Sequence, residues 1–492
     1  MKLSYKWILP VVAMGFMACE SDDQAGMMEG EDVVEYSAGS ADFTTYVSLG
    51  NSLTAGYTDG ALFQAGQMNS FPNLLASQFA EVGGGEFTQP LMADNLGGML
   101  IGGFKFLENR LFFDGSGPAR LPGDPTTEVT QKLTGSFNNM GVPGAKSFHL
   151  LAEGYGSLQA LQLGQANPYF ARFSSSEGAT ILGDAMAQSP TFFTLWIGAN
   201  DVLGYAVDGG DGENQAGNFD PSTYGSSDIT DPQVFGSVYS TIVSTLTSGG
   251  AKGVVANVPD VTVIPYFTTV PYNAIPLDAA TAAFVNNGFA QYNGGLQQLA
   301  AGGAISPEEA QARTINFVEG QNAPVIVDED LTDLSGFGLP PYRQLKEGEL
   351  LVLPSAAFLG TLVNDDPTLV NGVSVPLADK WALTANELEE IDAATMAFNQ
   401  VISDVAAQNG LAVVDAYSLI NETFTGIPFD EFNLTNNLVT GGTFSLDGIH
   451  LTARANAYVA NKFMEAIEEN YGAVLPRYSA GDFAVAYPVP MP

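Results

Sequence analysis

The sequence predicts an α/β fold of three layers, with helices on both faces of a mainly parallel sheet. Two observations carry this. Short apolar runs recur at residues 44–49, 191–197, 253–258 and 411–415, as buried parallel strands do, and a weaker strand is expected to end at Asn138-Asn139. Stretches with apolar residues at helical spacing alternate with these runs, which is the pattern of a sheet wound on both sides.

The elements in chain order begin with an export segment. Lys2 and Lys6 precede a short apolar run at 7–17, and Phe16-Met17-Ala18 leads into Cys19. This is the anatomy of a signal peptide over 1–18, too short to span a bilayer. Cys19 is the single cysteine, so no intramolecular disulfide can form. A cysteine so placed resembles the lipobox of bacterial lipoproteins, although Phe16 replaces the usual leucine there; the alternative is a plain secretory signal with an incidental cysteine. Residues 19–40 carry seven acids and no Lys or Arg, which reads as a solvated tether. Acids just after the cysteine resemble the surface-export signal of Bacteroidetes-type lipoproteins. The resemblance implies a lipid anchor on Cys19 and an outer-membrane, surface-exposed location.

The first strand, 44–49, ends in Gly50-Asn51-Ser52, all turn residues. Ser52 is therefore expected just past the carboxyl end of a strand, where open α/β sheets place their chemistry. Ser70 is placed to cap a helix with Phe71, Leu74, Leu75 and Phe79 on one face and Pro72 in its first turn. Leu388, Ile391, Phe398, Ile402 and Val405 give a second amphipathic face, and Leu451, Ala455, Tyr458, Val459 and Met464 a third. Residues 58–137 and 266–379 fit the alternation poorly. They read as insertions in a domain spanning 41–471, shaping a pocket or lid. Within the first, the apolar stretch 96–104 and the Phe112-Phe113 pair are candidates for an acyl groove, against the plainer reading of a packed hairpin. Residues 472–492, with Pro476, Pro488, Pro490 and Pro492, read as an irregular tail.

Composition narrows the function. The 492 residues hold about three average domains' worth of chain, or one elaborated α/β domain. With 46% hydrophobic residues the chain can bury a large core. A net charge of −38 repels phosphate backbones and excludes nucleic acid as a partner. Its plain meaning is solubility in a salty medium.

Serine is a weak nucleophile without a base in hydrogen-bond reach, and histidine suits that role near neutral pH. The chain has two histidines. His450 follows Asp447 by three residues in a turn-prone stretch, so the carboxylate can fold back and orient the imidazole. His149 sits in a helix-like run with no such neighbour and reads as structural. Acyl transfer also needs donors for an oxyanion. Gly144, in Asn139-Met140-Gly141-Val142-Pro143-Gly144, offers a bare backbone N–H. Asn200, in Gly198-Ala199-Asn200-Asp201, offers a side-chain amide, with Asp201 as an acceptor for loop amides.

Ser52, Gly144, Asn200 and His450 occur in the order and local contexts of the SGNH hydrolases, or GDSL-type esterases and lipases, which this chain resembles. Gly50-Asn51-Ser52-Leu53 stands where the family has G-D-S-L. Gly198 to Asp201 matches G-x-N-D, and Asp447 to His450 matches D-x-x-H. The resemblance implies a flavodoxin-like α/β/α sandwich, with Ser52 as nucleophile and His450 as base oriented by Asp447. It implies an oxyanion hole from the Ser52 and Gly144 N–H groups and the Asn200 amide, and no metal or organic cofactor. The departure is Asn51, an isostere of Asp that also accepts hydrogen bonds in tight turns. The expected activity is hydrolysis of carboxylic esters, as an esterase or lipase. The alternatives are a carbohydrate acetylesterase, acyl transfer to an alcohol, and a non-catalytic glycan-binding surface lipoprotein. The acidic, Gly-rich stretch 208–220 lacks the spacing of a calcium loop and reads as a solvated loop. Trp196 reads as a core aromatic beside the site.

Overall fold

Five strands, β1 (Tyr46–Gly50), β2 (Asn139–Gly141), β3 (Phe192–Trp196), β4 (Lys252–Ala256) and β5 (Ala412–Val414), form one sheet in the order 2-1-3-4-5. Every neighbouring pair is parallel. This order is one of the two common arrangements of doubly wound sheets. The computed structural model describes residues 35–489 and 491. The signal peptide, Cys19 and most of the acidic tether lie outside the described residues. Among the described residues no helix is long and apolar enough to cross a membrane.

The main helices are α1 (Ser52–Ala55), α2 (Phe71–Ala80), α3 (Asn200–Val207), α4 (Pro232–Thr247), α5 (Ala279–Ala301), α6 (Ala385–Asn409), α7 (Ala416–Glu422) and α8 (Ala453–Tyr471). Side chains alternate across a strand, and here the alternation assigns the layers. Val47, Leu49, Phe193, Leu195 and Val255 pack with Phe235 and Ile242 of α4 and with Phe398 and Ile402 of α6. Tyr46, Phe192, Trp196, Val254 and Ala256 pack with Phe71 and Phe79 of α2 and with Phe463 and Met464 of α8. Gly253 pairs with Phe193 in register. A Cβ at Gly253 would lie 2.6 Å from the Phe193 ring, so the large ring requires the bare position beside it.

Each amphipathic pattern lies on a helix, save Leu451, which precedes α8, and the ends follow capping chemistry. Thr384 and Glu387 form a reciprocal capping box at the start of α6, and Gly410 closes it in the left-handed region at φ 62°. Ser70 occupies the cap position of α2, yet its hydroxyl makes no capping bond. The Phe71 N–H is instead taken by Asn456 Oδ1 of α8 at 3.2 Å, a tertiary substitute for a local cap.

The long segments divide differently from the sequence boundaries. α2, a layer helix, lies inside the first of them. The remainder of that segment carries two small hairpins, Met99–Ile101 with Phe104–Leu107 and Leu111–Phe113 with Pro118–Arg120. The second segment has an apolar cluster of its own, including Val285, Leu296, Phe317 and Val325. Beside it the buried Arg343 bonds both oxygens of Glu349, at 2.6 and 2.8 Å, and also Asp328. Residues 36–492 nevertheless cluster as one unit. The backbone joins the fold before residue 41, since Ser37 and Val474 exchange two backbone bonds of 2.9 Å. The proline-rich tail is irregular but laid on the fold, where Tyr478 Oη donates to Leu74 O at 2.8 Å.

Candidate active site

Gly50, Gly141 and Trp196 lie in one row across β2, β1 and β3. The loops beyond that row carry Gly144, Ser52 and Asn200 in turn, so the sheet register brings three distant motifs to one edge. Gly50 has no alternative there. A Cβ would lie 2.1 Å from Thr54 Oγ1 and 2.4 Å from Trp196 O. Asn51 Oδ1 accepts from Leu53 N at 3.0 Å, the bond that an aspartate would also make, and so turns Ser52 into the first residue of α1.

His450 reaches Ser52 from the opposite end of the chain. Its Nε2 is 2.9 Å from Ser52 Oγ, and its Nδ1 is 2.8 Å from Asp447 Oδ2. A carboxylate only accepts, so Nδ1 carries the proton and Nε2 is left to accept from the serine hydroxyl. Asp447 is itself held from four sides. Its Oδ1 accepts from Ile449 N (2.9 Å), His450 N (2.9 Å) and Ser445 Oγ (3.0 Å), and its Oδ2 from Gly60 N (2.8 Å). Burial alone would push this carboxyl up. The neighbouring imidazole and the backbone N–H bonds outweigh it and hold Asp447 below the usual carboxylate range.

The turn after Ser52 completes the support. Asp59, at φ 51°, donates its N–H to Ser445 Oγ at 2.9 Å and accepts from Leu446 N at 3.1 Å. Burial raises the Asp59 carboxyl to about 6, against the Leu446 N–H bond that lowers it. The Tyr57 ring lies 4.6 Å from the imidazole. None of Tyr57, Asp59, Gly60 and Ser445 was marked by the sequence. The only local signal was the turn-forming Asp59-Gly60 pair, and nothing along the chain links it to residue 447.

Asn200 Nδ2 donates to Ala145 O at 2.9 Å, tying the loop after β3 to the loop after β2. An amide nitrogen has two hydrogens, so this bond leaves a second donor. Gly144 is exposed at φ 81°, a conformation that favours glycine. Asp201 is buried and accepts from Ser147 N (2.8 Å) and Oγ (2.7 Å), an acceptor for the loop as expected. His149 takes no part in the relay. Its Nδ1 accepts from Lys146 N at 3.0 Å and its ring stacks on Tyr155 at 4.2 Å. Burial, with Lys146 nearby, lowers it to about 4, so it is neutral near pH 7.

Ser52, His450 and Asn200 open onto one pocket of about 920 Å³, counting its open mouth. Beyond these three residues its walls are almost wholly apolar, including Trp196, Ile264, Val414, Ile420 and Leu434. Trp196 is at once core and wall, with its Nε1 donating to Asn257 O at 3.1 Å. Neither long segment supplies a wall of this pocket. The 96–104 stretch forms a hairpin with Phe104 79% exposed. The next hairpin braces the site from behind, with Leu111 N donating to Asp59 O at 2.7 Å.

A second group of acids was also unmarked. Glu329, Asp379 and Glu387 have ligand atoms within 4.8 Å of one another. Burial first, then mutual repulsion, raises Asp379 to about 8 and Glu387 to about 7. In the acidic loop, Asp220 caps a short turn through Ser222 N.

Comparison with protein-family models, curated proteins and solved structures finds no match to this chain.

Proposed function

We propose that this protein is a serine carboxylic-ester hydrolase of the SGNH, GDSL-type kind, with an esterase or lipase activity. The observation that carries the reading is the hydrogen-bonded relay from Ser52 through His450 to Asp447, at 2.9 and 2.8 Å. The 2-1-3-4-5 strand order, which is that of flavodoxin-like sheets, agrees with it.

Ser52 Oγ forms a bond to the ester carbonyl carbon while His450 Nε2 takes its proton. The carbonyl oxygen gains the negative charge, and the Ser52 and Gly144 N–H groups and the second Asn200 N–H receive it. The tetrahedral adduct breaks its bond to the alcohol oxygen, which leaves with the proton from His450. Water then repeats the steps on the acyl-enzyme, releasing the acid and restoring Ser52. Asp447 holds the imidazole in the required tautomer throughout. In the same reading the chain is an exported lipoprotein anchored through Cys19 to the outer membrane.

The apolar pocket favours this over a carbohydrate acetylesterase, whose ligand needs polar and aromatic walls. The intact relay favours it over a non-catalytic glycan-binding lipoprotein. The test is ester hydrolysis by wild type and Ser52→Ala, with a fluorophosphonate probe as a second readout. The expected result is a loss of several orders of magnitude in turnover and loss of labelling. Equal turnover in the two proteins would overturn the reading.

A further inference from the structure

The pocket beside Ser52 has a direction. It starts at Ser52, just past β1, and its walls continue through Trp196 at the end of β3, Val261 after β4, and Val414 and Ile420 at β5 and α7. These strands are consecutive neighbours in the order β1-β3-β4-β5. Neighbouring strands lie about 4.8 Å apart, so the three steps cover about 14 Å. The run therefore crosses most of the carboxyl edge of the sheet. Its only polar groups beyond the catalytic end are amide and hydroxyl groups, and no Asp, Glu, Lys or Arg lines it.

Resting on the ester-hydrolase reading, we infer that this run is the acyl-chain site, and that it takes an unbranched apolar chain of medium length whose far end meets Ile420. Carbon–carbon bonds of about 1.5 Å at backbone-like angles advance about 1.25 Å each, so 14 Å holds roughly eleven bonds. The acyl group belongs here rather than the alcohol because of the order of events. The acyl group stays on Ser52 through the second step, while the alcohol leaves and water enters. Val414, Leu434 and Ala455 close the floor of the pocket, which suits a group that is retained. On the other side of Ser52 the loop after β2 is open at the exposed Gly144, which suits a group that exchanges with solvent. Ile420 is half-buried on α7, so it can be enlarged without overpacking the core.

The full chain is assayed on p-nitrophenyl esters from acetyl to palmitoyl, for wild type and Ile420→Trp. In wild type kcat/KM rises with acyl length, by up to about fourfold per methylene, and levels off near ten to twelve carbons. In Ile420→Trp the ratio of decanoyl or dodecanoyl to butyryl kcat/KM falls by about tenfold or more. A second series holds the acetyl group and lengthens the alcohol, and shows no such rise. A maximum at acetyl, a dependence on alcohol length instead, or an unchanged profile in Ile420→Trp would each overturn the inference.

A binding readout separates it from the catalytic reading. Methyl decanoate is titrated into Ser52→Ala protein and its binding is followed by isothermal titration calorimetry. Uptake that Ile420→Trp weakens supports the pocket assignment even where no ester is turned over, and absence of binding overturns it even where esters are cleaved.

Discussion

Gly60 donates its backbone N–H to the carboxylate of Asp447 at 2.8 Å, across 387 residues of sequence. The bond joins the turn that follows Ser52 to the turn that carries His450. The same Oδ2 that orients His450 is thus also fixed from the Ser52 side. The site is a closed circuit of short contacts rather than three side chains meeting in a cleft.

The circuit predicts graded effects. Ser445→Ala removes a donor to Asp447 and leaves the Asp59 N–H without its acceptor. An unsatisfied buried donor costs about 1–3 kcal/mol. The expected result is a kcat lowered about tenfold with KM little changed, measured by steady-state hydrolysis beside a melting curve. Asp59→Asn keeps the acceptor for Leu446 N and should stay within about threefold of wild type, since it alters charge and not the bond that orients the loop.

His450→Gln should be as damaging as Ser52→Ala, and the double variant no worse than either. Residues that act as one unit give non-additive losses, on the order of 10⁶ in kcat for a serine or histidine of such a relay. Asp447→Asn should lose less, on the order of 10⁴. Additive losses in kcat would show that Ser52 and His450 act separately.

Asn200→Ala removes a proposed oxyanion donor and the tie to Ala145 O. Loss of one such donor lowers kcat by about 10²–10³. The check is single-turnover kinetics, in which formation of the acyl-enzyme should slow while KM changes by less than about threefold. A change in KM alone would assign Asn200 to ground-state binding.

Glu387 gives a pH prediction for stability. Its folded pKa, about 7, lies above the ordinary 4.5. Between these values the folded state holds more protons than the unfolded state, so stability falls as pH rises through that window. Glu387→Gln keeps a carbonyl oxygen for the Thr384 N–H and removes the charge. It should match wild type in melting temperature near pH 4.5 and exceed it by a few degrees near pH 8. A larger gain at the acid end would contradict the assignment.

How much of this was legible in the chain follows from what each feature depends on. The strands of the central sheet could be read because burial on both faces leaves unbroken apolar runs, as in Val47, Leu49 and Phe192 to Leu195. Ser52, Asn200, Asp447 and His450 could be read because each sits in a short local motif at a strand end or helix start. The walls of the pocket could not. Ile420 on α7, and Ile427 and Leu434 on the hairpin of Ile427–Phe429 with Phe432–Leu434, look like ordinary core residues along the sequence, and only the packing of these elements at the sheet edge turns them toward Ser52. The Phe112-Phe113 pair lies in a hairpin, the plainer of its two readings, since an apolar run signals packing without saying against what. The support from Asp59 and Gly60 was invisible because hydrogen bonds to a residue almost four hundred positions away leave no periodic trace.

The nucleophile and its base are separated by 398 residues, and this sets when the protein can first act. Synthesis delivers Ser52 long before His450, and α8, which follows His450 directly, must dock on the sheet beside α2 for the imidazole to arrive. Contacts of such long sequence separation form late in folding. Any chain still emerging, or clipped ahead of residue 447, therefore holds a serine with no proton acceptor. In the proposed reading, the chain gains its reactivity only once its two ends have closed on each other, where folding is completed.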